Sequence, residues 1–150
     1  VAEQENFQVR FDWGTAGVSA LGSAADILVW VDELPGPSPR TPSTDSALVM
    51  VANAATAGAV ADAILAAQAE RGERTSVAVV ASGAHRGDGS ERFAVEDLLA
   101  AGAVIDALAE RGIDHSSPEA AAACASFTGL RRATAHLISA SVTAQAEREA

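Results

Sequence analysis

A chain of 150 residues with 20 acids, 10 bases and a formal charge of −10 is the size of one domain, and its field repels nucleic-acid backbones and anionic lipid. Every base is an arginine, so a phosphate-loop lysine, a Schiff-base lysine and a Lys or Tyr general base are all excluded. One cysteine, Cys124, excludes an internal disulfide, and no apolar run approaches the ~20 residues of a membrane span.

Ala supplies 36 residues, and Val, Ile and Leu together only 29, so the core must rely on closely approaching elements. Gln8 to Asp12 alternates polar and apolar, which predicts a half-buried strand. Thr15 to Leu21 follows as a short helix with Thr15 at its cap. Ile27-Leu-Val-Trp-Val31 is a continuous apolar run and reads as a strand buried on both faces. Asp32 stands at its carboxyl end. Glu33 to Ser46 holds Pro35, Pro37, Pro39 and Pro42 and predicts a segment without regular structure.

Ala47 to Val51 is a third strand. Thr56 to Arg71 has helical spacing and is stopped by Gly72. Thr75 to Ala81 is a fourth strand, and Ser82 to Ser90 a Gly-rich loop. Phe93 to Arg111 is the clearest helix, with Val95, Leu98, Leu99, Ile105 and Leu108 on one broad face. Ser117-Pro118-Glu119 opens another helix with Ser at the cap and Pro at the first position. Leu130 to Ala140 continues helical. Strands alternating with helices predict one α/β domain over 1–150, a three-layer α/β/α arrangement with a mostly parallel sheet and a helical last third.

Several chemistries fail on spacing. Six residues separate Cys124 from Arg131, where a cysteine-phosphatase loop needs five. Ala120-Ala-Ala-Ala-Cys124 reads as a buried helix that keeps the thiol inert. His85, His115 and His136 lack metal-ligand spacing. Carboxylates at strand ends remain. Asp12 and Asp32 each follow a strand, and parallel neighbours would present both at the edge where α/β proteins bind ligands. Such acids suit Mg²⁺, or one could attack phosphorus directly. Both are also ordinary turn formers. Glu96 and Asp97, in the first turn of the long helix, favour its dipole, and Arg92 just before it is a candidate phosphate ligand.

Three segments resemble the 2-phosphosulfolactate phosphatase family: Val9-Arg-Phe-Asp-Trp-Gly14, Ile27-Leu-Val-Trp-Val-Asp32, and Asp88-Gly-Ser-Glu-Arg-Phe-Ala-Val-Glu-Asp-Leu-Leu-Ala-Ala-Gly-Ala-Val-Ile105. Ser117-Pro118-Glu119-Ala120 is similar to a further stretch. The resemblance covers about half of the chain. It implies an α/β/α fold and a Mg²⁺-dependent acid phosphatase that removes phosphate from 2-phospho-3-sulfolactate. It points at Asp12, Asp32, Arg92, Glu96 and Asp97 without assigning each a role; from their positions, Asp12, Asp32 and Arg92 are the catalytic candidates and Asp12, Asp32, Glu96 and Asp97 the metal-ligand candidates.

The chain departs from the family pattern. It is shorter, Asp32 runs into Glu33-Leu34-Pro35-Gly36-Pro37, a Ser-Pro-Asn-Gly segment has no counterpart, and a Gly-Glu-Arg stretch appears as Gly83-Ala84-His85. Two readings therefore stand. The first is a cytoplasmic phosphatase of a small anionic phosphorylated substrate. The second is a catalytically degenerate relative acting as a binding or oligomeric scaffold, with assembly into a homo-oligomer left open.

Overall fold

The computed structural model describes residues 2–150. Strand β1 (Val9–Trp13) leads into α1 (Gly14–Leu21), a 3-10 turn (Gly22–Ala24) and β2 (Ile27–Val31). After a long irregular segment come β3 (Leu48–Ala52), α2 (Ala57–Arg71) and β4 (Val77–Ala81). A short hairpin, β5 (Ala84–His85) with β6 (Glu91–Arg92), precedes α3 (Val95–Glu110). Helix α4 (Pro118–Gly129), a 3-10 turn (Arg131–Ala133), α5 (Thr134–Ser139) and α6 (Val142–Glu149) complete the chain.

The four long strands form one parallel sheet in the order β1-β4-β2-β3. All five residues of β2 and of β4 are buried, and these two strands take the central positions. Strand β1 carries Arg10 and Asp12 and lies at an edge. The sequence pattern suggested β1 and β2 as neighbours, but β4 lies between them. A strand buried on both faces loses most by being left at an edge, so the apolar run of β4 displaces β1 from that place.

Helices cover both faces of the sheet, giving three layers. Val29, Val31, Val77, Val79 and Phe11 pack with Ala61 and Ile64 of α2, Val104 and Leu108 of α3, and Ala120 and Ala123 of α4. On the other face Leu28, Trp30 and Val80 meet Val18 of α1, while Leu21 closes over Ala78. The alanine-rich composition works through close approach. A Cβ on Gly102 of α3 would come within 2.3 Å of the Ala123 carbonyl oxygen, so α3 and α4 lie nearly backbone to backbone there. Among the described residues no helix is long and apolar enough to cross a membrane.

Four local expectations need correction. Helix α1 begins at Gly14 with Trp13, not Thr15, at its cap position. The stretch from Ser82 to Ser90 is not a plain loop, because β5 pairs antiparallel with β6. The polar positions of β1 are not exposed: Arg10 is 4% exposed, and its guanidinium donates to the carbonyls of Phe7, Ala24 and Glu5 at 2.8–3.0 Å. Those three acceptors offset the desolvation of the charge. Cys124 is half-buried on α4 rather than sealed in the core.

Candidate functional site

The central strands end side by side, and a polar residue follows each: Asp32 after β2 and Ser82 after β4. The Ser82 backbone N–H donates to the Val31 carbonyl at 2.8 Å, fastening the two strand ends together. A crevice of about 630 Å³ opens beyond them. Asp32, Ser82, Trp13 and Trp30 border it from the sheet. Arg92 and Phe93 contribute from the end of the hairpin, and Pro35 and Arg40 from the proline-rich segment. This is the carboxyl edge of a parallel sheet, where such folds place ligands.

The proline-rich segment, 33–46, contains no helix or strand, as expected from its four prolines. It nevertheless supplies one wall of the crevice. Arg40 has no hydrogen-bond or ion-pair partner among the described residues. Arg92 is more committed: Nη2 donates to Thr143 Oγ1 at 2.7 Å and Nη1 to the Phe93 carbonyl at 3.2 Å.

Carboxylates cluster behind this wall. Burial pushes the Asp32 carboxyl above the ordinary value, a Ser82 hydrogen bond pulls it back, and the Glu96 and Glu147 charges push it further up. Burial likewise raises Glu33, whose Oε2 accepts the Ala54 N–H at 2.7 Å. Asp97 is 2% exposed and is pushed up to about 7, chiefly by burial and against the pull of its donors. Its Oδ1 accepts the Glu33 N–H at 2.9 Å, and its Oδ2 accepts Ser82 Oγ and the Gly83 N–H, each at 3.0 Å. Glu96 is also 2% exposed, and its Oε2 is buried with no partner.

The candidate residues therefore divide. Asp32 and Arg92 border one crevice. Asp97 is tied behind it, and Glu96 is buried without bordering it. Asp12 is elsewhere. The register sets Asp12 level with Val80 and Trp30, two residues short of Asp32 and two strands away. At about 3.3 Å per residue and 4.8 Å per strand, their Cα atoms are roughly 12 Å apart. The Asp12 side chain packs on Gly17, where a Cβ would come within 2.9 Å of Asp12 Cβ, and its Oδ1 accepts the Trp13 N–H. Asp12 borders a separate groove at the β1 edge. Asp12 and Asp32 both lie towards the carboxyl edge of the parallel sheet, as expected, but with β4 between them they border different grooves.

Among the described residues no three of His, Cys, Asp and Glu are grouped closely enough to hold a metal ion. Mg²⁺ can be held by one or two protein carboxylates, with waters and substrate phosphate oxygens as its other ligands. Asp32 is the member of the carboxylate cluster that borders the crevice, and Glu96 Oε2 is buried without a partner. Both Asp97 oxygens are already taken by donors, so Asp97 supports the site rather than completing it.

Crevice residues absent from the sequence-based candidates include Trp13, Trp30, Arg40, Ser82, His85, Glu91 and Phe93. Ser82 carried a usable signal, because it follows an apolar strand in the same way as Asp32. No family model matches the chain, and neither a curated protein nor a solved structure matches it.

Proposed function

We propose that the crevice binds a small phosphorylated organic anion and that the protein is a Mg²⁺-dependent phosphatase acting on it, as the likeness to the 2-phosphosulfolactate phosphatases implies. The observation that carries this reading is the placement of Asp32 and two arginines, Arg40 and Arg92, on one crevice at the carboxyl edge of a parallel sheet.

Each residue has a role in this reading. Arg40, unpaired among the described residues, and Arg92 draw the phosphate oxygens and counter its charge. Asp32 holds the hydrated metal. Bound Mg²⁺ supplies polarisation of a phosphoryl oxygen and a more acidic water. Asp97 keeps the loop after Asp32, the end of β4 and the start of α3 in one arrangement through its three accepted hydrogen bonds. In hydrolysis water adds to phosphorus, the ester P–O bond breaks, and the organic group leaves as an alcohol carrying a proton. Calorimetric titration with Mg²⁺ tests the metal assignment. Wild-type protein should show a binding isotherm that Asp32→Asn removes, and an isotherm unchanged in Asp32→Asn would sink it.

One observation favours the second reading, a relative that binds without turnover. Of the four acids that the resemblance points at, Asp32 alone borders the crevice. In that reading phosphorylated ligands bind, phosphate is not released, and Asp32→Asn leaves binding intact.

A further inference from the structure

The crevice is far more aromatic than the chain. The sequence has two Trp, four Phe and no Tyr in 150 residues. Both tryptophans and Phe93 border this one crevice. Trp13 and Phe93 lie with ring centroids 5.5 Å apart and planes inclined at 49°, so neither ring is stacked flat on the other. Phe93 is 61% exposed, so its ring is open to a ligand. Trp30 is 6% exposed, and its Nε1 is buried with no acceptor. The volume of about 630 Å³ falls in the range that holds drug-sized ligands.

We infer that the crevice takes an anion joined to a flat aromatic ring, the ring lying against Trp13 and Phe93. This rests on the reading of the crevice as an organic-phosphate site and names the kind of organic group it selects. A purely aliphatic phosphate would satisfy the arginines but leave the two rings wet.

Two non-hydrolysable probes separate the claims, ethylphosphonate and 4-nitrobenzylphosphonate, titrated calorimetrically in the presence of Mg²⁺. Tryptophan fluorescence gives an independent readout, since both indoles border the crevice. The aromatic probe should bind at least about tenfold more tightly than the aliphatic one, as ring stacking supplies. Phe93→Ser, at an exposed position that the fold tolerates, should bring the two affinities within about twofold. Equal affinities in the wild type would overturn the aromatic inference while leaving an anion site. No binding of either probe would overturn the organic-phosphate reading and this inference together.

Discussion

The Asp97 carboxylate accepts the Glu33 backbone N–H at 2.9 Å, which pins the residue after Asp32 to the first turn of α3. The same carboxylate accepts two donors from the end of β4, Ser82 Oγ and the Gly83 N–H. One buried side chain thus joins both central strands to the helix that follows the hairpin. Replacing it by alanine strands three donors. Asp97→Ala should lower the unfolding free energy by about 2–4 kcal/mol in urea titration.

Asp97 also makes stability depend on pH. Its folded-state value of about 7 lies above the ordinary 3.8, so the folded protein holds this proton more tightly than the unfolded chain. The sign follows: the stabilising contribution is complete below about pH 4 and is lost as pH rises towards about 7. Asp32 and Glu33 are shifted in the same direction. Wild-type stability should therefore fall between pH 5 and pH 7.5. In Asp97→Asn that fall should be visibly smaller, and an equal fall in both proteins would rule out Asp97 as its source.

Gly102 sets the distance between α3 and α4. An alanine there would place its Cβ 2.3 Å from the Ala123 carbonyl oxygen and 2.6 Å from Phe127 Cβ, so the helices must part. Gly102→Ala should cost about 1–3 kcal/mol despite its better helix propensity, whereas Gly87→Ala, with open space around it, should cost far less. Thermal melts of the two variants give the comparison.

Cys124 is half-buried, and burial, then the Asp106 charge, push its thiol up, with Arg131 pulling the other way. Labelling by a thiol reagent at pH 8 should run at least about tenfold slower in the folded protein than in urea. Comparable rates in both states would contradict this placement.

The parts of the fold that were legible in the sequence are those decided locally. Ile27–Val31 was readable from five consecutive apolar residues, and Ser117 is the cap it resembled, its Oγ accepting the Ala120 N–H at 3.0 Å. Strand order was not readable, because it depends on competition between strands for the two central positions. The burial of Arg10 depends on three carbonyls contributed by residues outside its own strand. Asp32 and Arg92 were visible as strand-end and pre-helix residues. Trp13 and Trp30 were hidden because an aromatic side chain in a strand reads as core. Arg40 was hidden in a proline-rich stretch whose path over the crevice no local pattern specifies.

Phosphate release from a panel of small phosphomonoesters, with and without Mg²⁺, decides whether the crevice hydrolyses such esters. The panel should hold aliphatic and aromatic members and be run on wild-type, Asp32→Asn and Arg92→Gln proteins. Wild-type protein should release phosphate in a Mg²⁺-dependent way, Asp32→Asn should lose at least about a hundredfold, and Arg92→Gln should show a weaker loss that falls chiefly on KM. Release that persists in Asp32→Asn, or no release from any ester by wild-type protein with Mg²⁺, would contradict the phosphatase reading.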